Sequence, residues 1–400
     1  MARRVFVTGI GIISSIGSNV EKTLASVFTG RSGIGKAEFL PTLLRDILPV
    51  AEIKLSNDAL ADQAGVSPKQ YTRTALLGML AAKQATEDAQ ITSAELSQRT
   101  LLLSATSVGG MDKSENFYRE FIADNRKGRL SQIVHHDCGD STEAIADYIG
   151  VKQGMGTIST ACSSSANSIM LGTRLIRNGL TDKVIAGGTD ALTRFTLNGF
   201  NSLMILDKNP CRPFDETRNG LNLGEAAAFI VLEPEKAITA NKKFYCEVTG
   251  YDNACDAFHQ TASSPEGLGA LLAMKKALSV AGLQPSEIQY INVHGTGTQN
   301  NDLSEGIAIQ TLFGENVPLL SSTKSFTGHT LGATGAVEAI LSILSIKQGI
   351  VYPNLNFSEK MKELNFYPNT QLLTGKNIVN VLSNSFGFGG NNTTLIFSRR

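Results

Sequence analysis

No stretch of this 400-residue chain approaches 18 uninterrupted apolar residues, so no membrane-crossing helix is expected. Net charge is lacking too. Lysine plus arginine and aspartate plus glutamate stand at 36 each, so no global field draws the protein to nucleic acid or to a membrane surface. An acidic partner would have to be met by a local basic patch. Cysteines are scarce and odd in number (138, 162, 211, 246 and 255), which argues against a disulfide framework and fits a reducing cytosol. Low-complexity segments, long linkers and obvious sequence repeats are missing as well. What is present, 42% hydrophobic and 18% charged residues, is enough to bury a substantial core.

The start, MARRVFVTGIGIISSIG, pairs two arginines with an apolar stretch, as a signal peptide does. Thr8, Gly9, Gly11, Ser14 and Ser15 interrupt that stretch and no A-x-A-like site follows closely, so it reads as a first strand and a turn. Further β-branched or apolar runs stand at 100–106, 156–160, 183–189 and 227–233, and again at 245–250, 290–295, 319–323, 378–385 and 394–398. Helical patterns lie between them, at 72–90, 163–178, 266–282, 301–313 and 330–347. Strands alternating with helices predict α/β layers. A polar break, EPEKAITANKKF, divides the strands into two sets and suggests halves at 1–240 and 241–400.

Two motifs tempt and fail. GRSGIGKA (30–37) nearly has phosphate-loop spacing, but Ala37 replaces the hydroxyl that would hold magnesium, and helix rather than strand precedes it. HHDC (135–138) has no second ligand pair at metal spacing, so a surface or interface loop is expected there.

Four segments carry more unusual chemistry. TACSSSA (160–166) leads from strand-like residues into a helix, and a cysteine at a helix start sits where positive potential favours thiolate. Taken alone, a buried inert cysteine is the commoner case. The small residues around it would either allow close helix packing or clear a path to the sulfur; the second is expected. NVHGTGTQNNDLSE (292–305) ends a strand at His294. SSTKSFTGHTLGATGAVEAI (321–340) sets Lys324 and His329 on a glycine-punctuated loop, with Glu338 on the following helix. SNSFGFGGNN (383–392) runs a strand into glycines whose backbone amides could face an oxyanion.

Together the cysteine in TACSSSA, HGTGT, KSFTGHTLGATG and NSFGFGGNN, in this order, resemble the elongating, free-standing type II β-ketoacyl-acyl-carrier-protein synthases of the thiolase superfamily. RRVFVTGIGIISSIG and PCRPFDETRNGLNLGEAAA (210–228) extend the resemblance over essentially the whole chain. It implies a thiolase-like α/β fold of two pseudo-duplicated halves in five layers, α-β-α-β-α, usually a homodimer, with a heterodimer as the alternative. The implied activity is that of an acyltransferase. It performs a decarboxylative Claisen condensation of a cysteine-bound acyl chain with malonyl-acyl carrier protein, in fatty-acid or polyene and polyketide synthesis, without cofactor or metal.

Residue by residue, the resemblance implies Cys162 as nucleophile, His294 and His329 as donors to the enolate, and Lys324 with Glu338 as supporting charges. It makes the backbone N–H groups of Cys162 and Phe388 the oxyanion hole. Val108, Phe200 and Phe388 would line the acyl pocket, and Lys69 and Arg73 would meet an acidic carrier protein. Both imidazoles should be neutral. Three departures stand out: GLNLGEAAA replaces a more glycine-rich run, Asn391 stands where many relatives have threonine, and FNSLMIL (200–206) puts apolar residues in a loop that often carries a basic carrier contact. A thiolase would need a late cysteine, and none follows Cys255. A chain-length-factor-like, non-catalytic partner subunit usually loses the nucleophile, and Cys162 is intact.

Overall fold

A computed structural model describes residues 3–400. Among the described residues ten strands form one continuous hydrogen-bonded array: β1 (Val5–Ser14), β2 (Leu101–Ala105), β3 (Gly154–Ile158), β4 (Val184–Asp190), β5 (Ala226–Pro234), β6 (Cys246–Cys255), β7 (Tyr290–Asn292), β8 (Leu319–Ser321), β9 (Asn380–Gly387) and β10 (Asn391–Ser398). Their spatial order is β3-β2-β4-β5-β1-β6-β10-β9-β7-β8. Read outward from the centre, the second five strands repeat the order of the first five. The pairing repeats too: β3, β2 and β4 run parallel as do β8, β7 and β9, while β5 and β10 each pair antiparallel with both neighbours. Only the short pairing of Phe6 and Val7 with Glu247 and Cys246 stitches the two sets together.

Helices fill three layers around these strands. Arg73–Asp88 and Cys138–Ile149 cover the outer face of the first set, and Leu268–Ala281 and Gln299–Phe313 that of the second. Ser164–Arg177 and Thr334–Gln348 pack against each other in the middle, where the largest apolar core lies. This is the five-layer α-β-α-β-α arrangement. Every residue from Thr334 to Ile346 is buried, so that helix is enclosed on all sides rather than on one face.

One expectation is met further along the chain and one needs correcting. The turn expected after the first strand is at Ser14–Gly17, whose ends exchange backbone hydrogen bonds, while the glycines after Thr8 lie within β1, which continues to Ser14 with one register shift between Val7 and Gly9. Those glycines permit close packing. A Cβ on Gly9 would lie 2.3 Å from the Ala85 carbonyl oxygen, and one on Gly11 would lie 2.1 Å from that of Ala81, both on the helix Arg73–Asp88. Phe200 is not in a loop: the helix Arg194–Ser202, capped by the Thr193 side chain, carries it. Leu203 and Met204 follow, Met204 with a left-handed φ of 57°.

Candidate functional site

The loops leaving β7, β8 and β9 and the start of the helix Ser164–Arg177 meet at one end of the fold. Cys162, His294 and His329, far apart in sequence, line a single cavity of about 330 Å³ there, together with Phe200, Phe386 and Phe388. All three groups are nearly buried, at 7%, 2% and 2% exposure. The imidazoles meet edge to face, ring centroids 5.5 Å apart at 89°.

Local backbone geometry sets each group. Ala161, just before the cysteine, holds a φ of 55°, sparsely populated for a residue with a Cβ. Its carbonyl accepts the Ser107 hydroxyl at 3.2 Å. Cys162 lies two residues before the first helical residue. Burial pushes its thiol up to about 11, against the opposing pull of Lys324 and of the backbone N–H groups of Phe388 and Cys162 itself. Burial of the sulfur thus works against the thiolate that the helix start is expected to favour.

The small residues around Cys162 also read differently in the structure. Of residues 158–169 only Cys162 reaches the cavity. Ser165 accepts the Ala336 N–H at 2.9 Å, Ser168 bridges the Leu103 carbonyl and the Gly187 N–H, and a Cβ on Gly335 would lie 2.7 Å from the Ala166 nitrogen. Their smallness lets the two central helices and the sheet approach closely.

His294 lies two residues beyond β7, its N–H and that of Gly295 donating to Glu305 at 2.9 and 2.8 Å. Lys324 Nζ donates to its Nδ1 at 3.2 Å and also to the His294 carbonyl and to Glu338. His329 is strung between the Asn222 carbonyl and the Gly224 N–H, and its Nδ1 accepts the Leu331 N–H at 3.0 Å. Each Nδ1 thus faces a donor. The neutral rings consequently carry their proton on Nε2. Neutrality itself follows from burial and from Lys324, which lower His329 to about 3 and His294 well below its ordinary value. Burial also raises the Glu338 carboxyl to about 7 while Lys324 pulls it down.

Phe200 and Phe388 stack at 5.7 Å, with planes 17° apart, and both line the cavity. Val108 does not. It sits in an apolar cluster with Leu192, Leu197 and Leu331, against which Phe200 packs. Lys69 is exposed in a turn. Arg73 is buried, and the expectation that it meets a partner fails: its guanidinium pairs with Glu225 at 2.6 Å and donates to the carbonyls of Ile53 and Leu55. Asn391 joins the start of β10 to the cysteine-bearing helix, accepting from Ser163, Asn167 and Asn253. His135 and His136 turn to different partners, Asp140 and Ser114, so they share no ligand site.

Three buried carboxylates escaped the sequence reading: Glu305 behind His294, Asp302 under Thr296 and Gly297, and Asp190 at the end of β4. Their one sequence signal is acid among apolar or small neighbours. Burial raises Glu305 to about 7 and Asp190 to about 6.

Residues 2–238 match the family Beta-ketoacyl synthase, N-terminal domain, and residues 245–358 match Beta-ketoacyl synthase, C-terminal domain. A 3-oxoacyl-[acyl-carrier-protein] synthase 2 of Staphylococcus aureus is 36% identical over 99% of this chain and 98% of its own. The structure of the ishigamide ketosynthase/chain length factor aligns with a TM-score of 0.93 and 30% identity over the full length of both chains. A ketosynthase, ApeO, in complex with its chain length factor, ApeC, from Xenorhabdus doucetiae aligns with a TM-score of 0.84 and 32% identity, covering 100% of this chain and 98% of that one.

Proposed function

The chain belongs to the β-ketoacyl synthase family, and on that footing we propose that Cys162, His294 and His329 carry out a decarboxylative condensation on carrier-bound thioesters. The observation that carries this reading is the convergence of one thiol and two neutral, Nε2-protonated imidazoles on one cavity.

The sulfur of Cys162 attacks an acyl thioester. The tetrahedral oxyanion forms beside the N–H groups of Cys162 and Phe388, each such donor lowering the barrier by about 3 kcal/mol. Collapse releases the carrier thiol, which takes up the proton that leaves Cys162, and the acyl chain stays on the enzyme. A malonyl thioester then loses carbon dioxide. The enolate oxygen accepts from the Nε2–H groups of His294 and His329, and the enolate carbon attacks the acyl group to give a 3-oxoacyl thioester and the Cys162 thiolate, which takes a proton from water. Lys324, anchored by Glu338, holds His294 Nδ1 as an acceptor and keeps both rings from charging.

The acyl chain lies against Phe200 and Phe388 and reaches the cluster around Val108 when their stack opens. Lys69 remains as a carrier contact, and the apolar Leu203–Met204 segment near the cavity mouth sets this enzyme apart from relatives with a basic residue there. The partner is a second ketosynthase-like chain, identical or a chain length factor, as in the two heteromeric relatives above. Five free cysteines support a reducing, cytoplasmic setting.

A panel of acyl-carrier thioesters with malonyl-carrier protein, read by product mass, tests the function. The variant Cys162→Ala should form neither acyl-enzyme nor product. Condensation at the normal rate by that variant would remove the nucleophile assignment.

A further inference from the structure

Asp190 closes β4 in the run KVIAGGTD and is wholly buried, yet among the described residues it pairs with no cation. A buried carboxylate without a counter-charge is costly unless donors surround it, and four groups do. Oδ1 accepts the Thr106 hydroxyl and the N–H groups of Ser107 and Val108, both at 3.1 Å. Oδ2 accepts the Ser107 N–H at 3.0 Å and, from the other half of the chain, the Gly332 N–H at 2.6 Å.

Both ends of this knot touch the chemistry. The Ser107 hydroxyl holds the carbonyl of Ala161, the residue before Cys162. Gly332 follows Leu331, whose N–H fixes His329 Nδ1. Leu331 carries a φ of 51°, a conformation that a side-chain-bearing residue keeps only when its surroundings impose it. The approach is specific to glycine at 332, since a Cβ there would lie 2.8 Å from Asp190 Oδ2 and from the Ser107 hydroxyl. Asp190 itself does not line the cavity.

We propose that Asp190 is a positioning residue for the condensation step, acting through Gly332 and Leu331 to fix the ring and the proton position of His329. The inference rests on the function proposed above. It assigns to this carboxylate the job of joining a loop of the first half to the histidine of the second.

The variant Asp190→Asn separates this role from a general structural one. Three donors crowd Oδ1, so the amide oxygen keeps that side and the NH2 group meets the Gly332 N–H, donor against donor. The loop 106–109 stays held while the Gly332 contact is lost. Acyl-enzyme formation on Cys162, read by intact mass, should stay within about 3-fold of the parent. Release of carbon dioxide from the malonyl thioester should fall about 100-fold, the usual scale for a catalytic group displaced by about an ångström. The 15N signals of His329, one of only five histidines, should lose the pattern of an Nδ1 acceptor. Gly332→Ala presses on the same contact from the opposite side and on the Ser107 hydroxyl as well, so its readout is the His329 15N pattern, which should be lost in the same way; this keeps the test open should the asparagine variant fold poorly.

Equal loss of both half-reactions, or unchanged decarboxylation with unchanged His329 signals, overturns the role of Asp190. Failure of the parent enzyme to acylate Cys162 or condense at all would instead overturn the underlying function.

Discussion

Replacing His329 by alanine removes one of the two Nε2–H donors proposed to face the enolate and nothing from the oxyanion hole proposed at Cys162. The ring is 2% exposed and borders an existing cavity, so its removal enlarges space that water can fill. The Leu331 N–H loses its partner, at a stability cost of about 1–3 kcal/mol. The backbone of residue 329 remains tied to Asn222 and Gly224, so the fold should survive. Loss of one donor preorganised for a developing oxyanion costs about 3 kcal/mol, or 100- to 1,000-fold in rate. That loss should fall on decarboxylation alone. Carbon dioxide released from carboxyl-labelled malonyl-carrier protein should drop by this factor, while intact mass still shows acylated Cys162. Undiminished decarboxylation, or a matching collapse of acylation, would refute the division of labour between cysteine and histidines.

Gly387→Ala should do the reverse: its Cβ would lie 2.9 Å from the Thr160 carbonyl and 3.2 Å from the Cys162 nitrogen, so the Phe388 N–H shifts and acylation of Cys162 slows about 100-fold or more. Arg73→Ala strands a buried Glu225 and should lower stability by about 3–5 kcal/mol in urea titrations, with any surviving folded enzyme still able to accept carrier-bound substrate. Acid should expose the buried imidazoles. His329 binds its proton near 6.5 when unfolded and near 3 when folded, so its contribution is complete above about 6.5 and is lost as pH falls toward 3. Between pH 6.5 and 4 a His329→Gln variant should therefore gain about 3 kcal/mol relative to the parent, at about 1.4 kcal/mol per pH unit, measured by denaturant midpoints. Asp190, Glu305 and Glu338, raised by burial, act with the opposite sign in both proteins and cancel in the comparison.

Periodicity and motif order carried a good deal of this architecture. All ten strands were legible as β-branched or apolar runs, and the cysteine and two histidines were legible because unusual residues stood among glycines and small side chains. What escaped depended on contacts distant in sequence. Arg73 looks like a solvated charge at a helix start, and only its meeting with Glu225, 152 positions on, makes it a buried strut. The sulfur of Cys162 obeys the desolvation of a cavity built from both halves, which no local pattern records. Gly9 and Gly11 read as interruptions that end the strand early, because the helix that needs their missing side chains begins only at Arg73. Asp190 gave a signal, an acid ending an apolar strand, but its partner Gly332 lies 142 positions away.

The most direct test of the central claim is a mass measurement on enzyme incubated first with an acyl-carrier thioester and then with malonyl-carrier protein. Acyl mass is expected on Cys162 in the first stage. In the second, the thiol should be freed with a 3-oxoacyl product two carbons longer and one equivalent of carbon dioxide. Acyl mass on any other residue, or chain extension without release of carbon dioxide, would contradict it.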